Sequence, residues 1–240
     1  MSTSTALVTG ATGGIGLHIA RQLAEQGWTV LVGARGTAKG AEVAAQFGGR
    51  PLLLDVTDAD SIAAAAATVP ELDVLVNNAG ISLDTGARVI ETDVAVFRRT
   101  YETNVFGVVA VTNALVPALR RSANPRIVNV SRGTVSLTWS TGPNPQFDYP
   151  AAGTGSGAAY RSSKTALDAL TVFYAQALAH DGFKVNALAP GLWATNLNPQ
   201  AANAGGDPAE AAAGAVRLAL LPDTGPTGQL FSWDGTVVPW

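Results

Sequence analysis

The sequence predicts an α/β protein: a single domain, residues 1–240, built on one doubly wound sheet of seven parallel strands. Short β-branched apolar runs alternate along the chain with longer Ala-rich segments of helical period, which is the pattern of repeated βαβ units. Of the 240 residues, 47% are apolar and 14% are charged, so the chain can bury one large core. No linker composition interrupts the alternation before about residue 136.

The predicted strands are short apolar runs, each bounded by Gly, Pro, Asn or Asp. They are apolar throughout, so we expect them to be buried on both faces. In chain order the strands are Thr5–Thr9, Thr29–Gly33, Pro51–Asp55, Val74–Asn77, Arg126–Ser131, Lys184–Ala189 and Gly228–Phe231.

The predicted helices fill the intervals between these strands. Gly27 closes the first of them, since a glycine often follows the last helical residue, and the alanine run Ala63–Ala67 favours the third. In chain order the helices are Gly14–Gln26, Gly40–Phe47, Asp58–Thr68, Asp93–Arg120, Ala158–His180 and Pro208–Leu220.

One segment, Leu137–Gly157, breaks the alternation. It carries Pro143, Pro145 and Pro150 among several Gly, Ser and Thr residues and shows no convincing period. Long loops in compact domains usually serve binding, so we place this loop on the substrate side. A mere insertion is the alternative.

Charge and composition exclude several classes of protein. The net charge is -3, so the chain lacks the basic surface that nucleic acid or an anionic membrane would need. There is no Cys, and His18 and His180 lie far apart, so we expect no thiol chemistry and no metal site. The segment after Met1 lacks a basic, apolar leader, and no stretch gives about 18 unbroken apolar residues. We therefore expect a soluble, unprocessed, cytoplasmic protein.

A glycine-rich turn follows the first strand and opens the first helix. Glycine lets the backbone approach a pyrophosphate closely, and the helix N-terminus presents free N–H groups to it. At the first βα junction of a βαβ pattern, such a turn predicts a dinucleotide site. The residues expected to bind the phosphates are Gly10, Thr12, Gly13, Gly14, Ile15 and Gly16.

The end of the second strand indicates which dinucleotide binds. An acidic residue there would accept hydrogen bonds from the ribose of NAD, but the chain has Ala34 and Arg35 instead. Arg35 suits a 2′-phosphate, and Lys39 is a possible second charge, so the sequence favours NADP(H). The alternative is that Arg35 is only a solvated loop charge.

Five motifs occur in a fixed order and together resemble the short-chain dehydrogenase/reductase family. The resemblance covers nearly the whole chain and implies a Rossmann-type domain, a bound nicotinamide cofactor and oxidoreduction of a carbonyl/alcohol pair. The Arg35 pattern resembles NADPH-dependent carbonyl reductases. The motifs are Thr9-Gly10-x-x-x-Gly14-x-Gly16, Asn77-Asn78-Ala79-Gly80, Asn104 within Thr103-Asn-Val-Phe-Gly107, Tyr160-Arg-Ser-Ser-Lys164 and Pro190-Gly191-Leu-Trp-Ala-Thr195.

The resemblance also implies cofactor roles for individual residues. Lys164 would hydrogen-bond the nicotinamide ribose, and Tyr160 would stand beside the ring. The remaining assignments are Asp55 and Val56 at the adenine, Asn78, Ala79 and Gly80 at the adenosine ribose, and Pro190, Gly191 and Thr195 at the nicotinamide carboxamide.

Tyr160 and Lys164 are the predicted reaction centre. They lie four residues apart on one helix, hence on one face, so the lysine cation can lower the pKa of the phenol. Tyr160 would then act as the general acid that protonates a carbonyl oxygen. Asn104 is a weak helix former inside a long helix, and the resemblance implies that it holds a water in a proton relay.

The serine that polarises the substrate carbonyl in the family is replaced here by Arg132. Ser131 is one residue early, and alternation along the strand would turn it away from the pocket unless the strand end bulges. Thr134 shares the parity of position 132 and could supply the hydroxyl if the chain stays extended. Arg132 could itself donate to a carbonyl or carboxylate, but we favour Thr134 or Ser131 as the catalytic donor.

Specificity is expected from the loop Leu137–Gly157 and from Leu192–Asp207, a candidate substrate lid. Trp139, Phe147, Tyr149 and Trp193 would form an aromatic wall suited to a bulky hydrophobic ketone, or else would pin these segments down.

The favoured function is NADPH-dependent carbonyl reduction. Two other functions stay open because of Arg132: imine or enone reduction, or redox-neutral chemistry, in secondary metabolism; and cofactor sensing by a non-catalytic NADPH-binding regulator. The sequence does not decide between a homodimer, a homotetramer and a monomer.

Overall fold

A computed structural model describes residues 4–84, 86–146, 152–197, 199–203 and 206–240. The fold is a Rossmann-like α/β sandwich in which one sheet holds all the strands of these residues, in the order β3-β2-β1-β4-β5-β6-β7-β8. The strands are β1 (Thr5–Thr9), β2 (Thr29–Ala34), β3 (Arg50–Leu53), β4 (Val74–Asn77), β5 (Arg126–Val130), β6 (Lys184–Ala189), β7 (Leu230–Ser232) and β8 (Val237–Val238).

The first seven strands are parallel, as predicted, but the sheet has eight strands rather than seven. The extra strand, β8, runs antiparallel to β7 and pairs Val238 with Leu230. A run of two residues is too short to show a period, so pattern analysis misses it. The third strand differs too: β3 is the sheet edge and is largely exposed rather than buried.

Nine α-helices occur in the described residues. The six predicted helices correspond to seven of them within a few residues at each end, because the predicted helix Asp93–Arg120 covers two. The helices are α1 (Gly14–Glu25), α2 (Thr37–Ala45), α3 (Ala59–Ala67), α4 (Val94–Tyr101), α5 (Gly107–Leu119), α6 (Leu137–Thr141), α7 (Ala158–Ala177), α8 (Pro199–Ala202) and α9 (Pro208–Ala219).

Helices cover both faces of the sheet, and each face has its own apolar core. On one face, α1 and α9 pack against β1, β4 and β6 through residues such as Ile19, Val76 and Leu188. On the other, α3 and α5 pack through Leu75 and Leu115. Because both faces are covered, the carboxyl ends of the parallel strands form an open edge where loops can build a site.

The predicted helix Asp93–Arg120 is one continuous helical segment, Val94–Leu119, with a π-helical turn in its middle. By length and composition it could cross a membrane, but half of its most apolar window is buried inside the fold. Its residues Val111, Leu115 and Leu119 lie in the second core, so it packs as a core helix.

The segment predicted as an irregular loop, Leu137–Gly157, contains the short helix α6 and a 3₁₀ turn, Ala152–Thr154. It is attached at both ends. Thr138 donates through its backbone and side chain to the carbonyl of Trp240, and Gly157 N donates to Ala87 O.

Candidate functional site

A cavity of about 520 Å³ lies at the carboxyl ends of β1, β2, β4, β5 and β6, where a doubly wound sheet places its ligands. It brings together residues from both halves of the chain. Of the residues expected to bind the cofactor, the cavity wall includes Gly10, Thr12, Gly13, Gly14, Ile15, Gly16, Arg35, Asp55, Val56, Asn78, Ala79, Gly80, Tyr160, Lys164, Pro190, Gly191 and Thr195.

The glycine-rich turn is held in place by the end of β4. The Thr9 hydroxyl accepts hydrogen bonds from the backbone N–H groups of Asn78 and Ala79, both at 3.0 Å. Asn78 Nδ2 donates to the carbonyls of Thr9 at 2.9 Å and Gly10 at 3.2 Å. The turn is therefore shaped before any phosphate arrives.

Gly16, in the first turn of α1, leaves the space that Asn78 occupies. A Cβ at this position would lie 2.3 Å from Asn78 Nδ2 and 2.8 Å from Gly10 O. A side chain here would therefore displace both the amide that fixes the turn and the turn itself.

The adenine end of the cavity carries Arg35 and Asp55. Arg35 is exposed and close enough to contribute, after hydrogen bonds from the Thr57 backbone and hydroxyl, to lowering the pKa of Asp55. Lys39 is not in the cavity wall; its ammonium pairs with Glu42 at 2.7 Å on the surface.

Asn104 lies in the π-helical turn Glu102–Phe106, fully buried. Its Oδ1 accepts from Ile81 N at 2.9 Å, and its Nδ2 donates to Ile81 O at 2.9 Å and Ser163 Oγ at 3.0 Å. A π turn widens the helix and often marks a functional site. Here it turns the Asn104 amide toward the cavity wall at Ile81.

Tyr160 lies in the first turn of α7, and a residue distant in the sequence caps that turn. Asp84 is buried, and its carboxylate accepts from the N–H groups of Ala159 at 2.6 Å and Tyr160 at 3.3 Å. Gly157, the local N-cap residue, makes no side-chain cap. Asp84 thus satisfies the free N–H groups of the helix that positions Tyr160.

The charges around the Tyr160 phenol differ from those expected. Burial raises its pKa, and the opposing cation is Arg132, whose Cζ lies 5.8 Å from the ring centroid. The predicted lowering of the phenol pKa by Lys164 is therefore not what the structure shows.

Lys164 Nζ instead donates to Val130 O at 2.7 Å. Burial lowers the Lys164 pKa to about 8, against the charge of Asp168.

Asp168 lies one helical turn beyond Lys164 and is buried with its Oδ1 unpartnered. Burial raises its pKa to about 7, against a hydrogen bond from Ser131 and the charge of Lys164. The sequence analysis missed this residue, although its spacing places it on the helix face of Tyr160 and Lys164. The role of Asp84 could not be found from the sequence, because the residues near it in the chain do not indicate that it contacts α7.

Asp168→Asn is expected to stabilise the protein at slightly alkaline pH but not at acidic pH. The folded state holds the Asp168 proton more tightly than the unfolded chain does, so this stabilisation is present at low pH and is lost between about pH 4 and 7. The variant should gain at least about 1 kcal/mol of unfolding free energy over the wild type at pH 8 relative to pH 4.5.

Urea unfolding of both proteins at the two pH values measures this difference. Asp60→Asn, which changes an exposed carboxylate in α3, is the matched control. A pH-independent difference between Asp168→Asn and the wild type would contradict the burial argument.

The three candidate carbonyl donors at the end of β5 have different surroundings. Ser131 is in the cavity wall, but its hydroxyl is shared between Asp168 and the carbonyl of Lys164, which lies 3.4 Å away. Thr134 is buried in a 3₁₀ turn, Gly133–Val135, and is not in the cavity wall. The prediction that Thr134 faces the pocket required an extended chain here, and the chain is not extended. Arg132 is in the wall, and its Nε donates to Thr134 Oγ1 at 2.8 Å.

The predicted aromatic residues also separate. Trp193 lines the cavity and packs edge-to-face on Trp233, with ring centroids 5.2 Å apart. Trp139 packs instead on the small cluster of Ala187, Ala189, Leu230 and Val238 and is not in the cavity wall. Phe147 and Tyr149 lie outside the described residues.

The cavity has features at both ends that fit a nicotinamide dinucleotide. Gly10 and Gly14 have left-handed backbone at the phosphate turn, with φ of 63° and 54°. At Gly80, a Cβ would lie 3.3 Å from Asn104 Oδ1 and 3.4 Å from Lys164 Nζ, so the glycine keeps both groups close to the cavity wall. Cations stand at both ends, Arg35 at one and Lys164 with Arg132 at the other.

Comparison with known proteins agrees with this geometry. The family model for short chain dehydrogenases matches residues 4–143. The (-)-isopiperitenone reductase of Mentha piperita is 32% identical over 95% of this chain and 96% of its own length.

Two solved structures share the fold over nearly the whole chain. The menthone neomenthol reductase of Mentha piperita matches with a TM-score of 0.76 and 28% identity, covering 97% of this chain and 99% of that one. An NADPH-bound carbonyl reductase from chicken fatty liver matches with a TM-score of 0.80 and 25% identity over 100% of both chains. The chain therefore belongs to the short-chain dehydrogenase family of NAD(P)-binding oxidoreductases, which act on carbonyl and alcohol groups of small molecules.

Proposed function

We propose that the protein is an NADPH-dependent carbonyl reductase that converts a hydrophobic ketone to an alcohol. The observation that supports this most is the grouping of Tyr160 and Lys164 in the wall of one cavity, with Asn104 directly behind Gly80 and Ile81. The other end of the same cavity carries Arg35.

In the proposed reaction Tyr160 is the general acid. The bound nicotinamide supplies the hydride. The Tyr160 phenol donates its proton to the carbonyl oxygen, and because burial raises its pKa it holds that proton at neutral pH, as reduction requires.

Lys164 and Asn104 support that acid. The ammonium of Lys164 uses one N–H on Val130 O and keeps the others for the nicotinamide ribose. Asn104 holds the backbone of Ile81 and would place the water through which the proton is replaced.

The preference for NADPH is proposed to depend on Arg35. Arg35→Ala should weaken NADPH binding about tenfold or more, through loss of charge-assisted hydrogen bonds to the 2′-phosphate, and leave NADH binding unchanged. Dissociation constants for both cofactors, from fluorescence titration, measure this. Arg50→Ala, an exposed arginine on β3 outside the cavity wall, is the control. Equal losses for the two cofactors would contradict the assignment.

The substrate is proposed to be bulky and apolar on one side. Leu192, Trp193 and Leu197 line the cavity, which supports Leu192–Asp207 as the substrate lid. The described part of the loop Leu137–Gly157 contributes no residue to the wall.

We also propose that the protein works in the cytoplasm, which cell fractionation would test.

A panel of ketones and imines, assayed by NADPH absorbance, tests the proposed reaction. Ketone-dependent oxidation of NADPH, with one alcohol formed per NADPH consumed, is the expected result. NADPH binding without turnover of any compound would instead favour the regulator, and product formation without NADPH consumption would favour redox-neutral chemistry.

A further inference from the structure

We propose that Arg132 binds a carboxylate of the substrate, so that the substrate class is an oxo acid: a hydrophobic ketone with a carboxylate one or two carbons from its carbonyl. This proposal rests on the proposed carbonyl reduction, and it names the substrate of that same site. Four features of Arg132 support it: its place beside Tyr160, its anchor, its charge and its geometry.

Arg132 stands where the substrate carbonyl must approach. It follows β5 directly in extended conformation, with φ -160° and ψ 145°, and lines the cavity. Its guanidinium carbon lies 5.8 Å from the centroid of the Tyr160 ring. A compound whose ketone oxygen meets the Tyr160 phenol therefore has its neighbouring carbons beside the guanidinium.

The guanidinium is anchored at two places. Nε donates to Thr134 Oγ1 at 2.8 Å, and the side chain also hydrogen-bonds the Tyr160 phenol, which leaves three of the five guanidinium N–H groups for a ligand. Thr134 is itself fixed by Arg161, which donates to its carbonyl at 3.2 and 3.1 Å. A fixed support of this kind reduces the entropy lost when the guanidinium binds a ligand.

The charge of Arg132 is not neutralised by the described part of the chain. No carboxylate among those residues forms an ion pair with Arg132. The one acidic residue in the described cavity wall, Asp55, lies at the adenine end with Arg35. Arg161, close enough for its own pKa to be lowered by burial and by Arg132, adds a second positive charge. The single negative charge of a carboxylate at this place would offset the charge of Arg132.

A carboxylate suits this group better than a lone carbonyl oxygen. The planar guanidinium matches the two oxygens of a carboxylate with two parallel hydrogen bonds, and charge-assisted bonds of this kind are the stronger ones. The phenol of Tyr160 remains available for the ketone oxygen. Arg132 would thereby orient the substrate, and its positive charge would polarise the neighbouring carbonyl. It would do so from the position at which the family resemblance implies a serine.

The test compares 2-oxo-4-phenylbutanoate with its ethyl ester, which keeps the ketone and the carbon chain but replaces the negative carboxylate by a neutral ester, and it is assayed by NADPH oxidation. The wild type should reduce the acid with a kcat/KM about tenfold or more above that of the ester. Arg132→Ser and Arg132→Gln should lose this preference, with the ester affected least. Arg98→Ser, an exposed arginine on α4, should keep it. A wild type that reduces the ester as well as the acid, or an Arg132→Ser variant that keeps the preference, would overturn the proposal.

A binding measurement separates this inference from the proposed function. Calorimetry of 4-phenylbutanoate and 4-phenylbutanamide is performed on the protein alone and with saturating NADP. Tighter binding of the acid than of the amide by the wild type, lost in Arg132→Gln, supports the carboxylate site even if neither ketone is reduced. If the wild type and Arg132→Gln bind the acid equally well, the carboxylate site is wrong, even if ketones are reduced.

Discussion

Tyr160→Phe is expected to lower the rate of ketone reduction by about 10²–10⁴-fold while NADPH binding is retained. The phenol is buried in the cavity wall and holds a proton that it can give to a carbonyl oxygen. Asp84 caps the backbone turn that carries the ring, and the ring is buried, so phenylalanine keeps the backbone and the packing while it loses the hydroxyl that hydrogen-bonds Arg132. The loss should therefore appear in kcat, with little change in the dissociation constant of NADPH.

A matched variant on the same helix controls for the loss of a hydroxyl. Tyr174 donates to Asn113 Oδ1 at 2.8 Å outside the cavity wall, so Tyr174→Phe should leave kcat within a factor of about two. Turnover by Tyr160→Phe equal to that of Tyr174→Phe would remove Tyr160 from the reaction.

Gly16→Ala is expected to be the most damaging single methyl group at the cofactor site. The added Cβ meets Asn78 Nδ2 at 2.3 Å and Gly10 O at 2.8 Å, and neither can yield without moving the turn. Overpacking of this kind costs about 1–3 kcal/mol, partly offset by about 1 kcal/mol from the better helix propensity of alanine. If the turn loses two charge-assisted hydrogen bonds to phosphate, NADPH affinity falls by about 10²-fold or more.

Thermal unfolding and NADPH titration measure these two effects. Gly153→Ala is the control, because its Cβ would meet nothing within 4 Å and its backbone is not left-handed. Unchanged NADPH affinity in Gly16→Ala would show that Asn78 and the turn do not shape the phosphate site.

The parts of the fold that depend on local patterns could be predicted from the sequence. The seven parallel strands and the glycine-rich turn are signalled by residues adjacent in the chain, and Tyr160 and Lys164 by spacing on one helix. What the chain does at the end of β5 could not be predicted, because alternation holds only while a strand continues. The strand ends at Val130 and the chain enters a 3₁₀ turn, which takes Thr134 out of the wall.

Features that depend on contacts between distant parts of the chain could not be predicted from the sequence either. The π turn around Asn104 shows no local period, and the Asn104 amide is held by Ile81 and Ser163, which are distant in the sequence. Burial raises the pKa of the Tyr160 phenol, and the lysine four residues away does not set it. The spacing of two residues on a helix does not reveal how deeply they are buried, so the sequence could not predict this shift. The extra antiparallel strand, Val237–Val238, needs β7 as a partner to exist at all.

The Asp84 cap links the integrity of the reaction centre to a segment that contributes nothing to the sheet. The first turn of α7 is closed by a carboxylate 76 positions before Tyr160 in the sequence. Local opening of the chain around Asp84 would therefore unwind that turn while the strands stay paired. Amide hydrogen exchange at Ala159 and Tyr160 should follow exchange at Asp84 rather than exchange in β5, so the protein can lose the position of its proposed acid catalyst without unfolding.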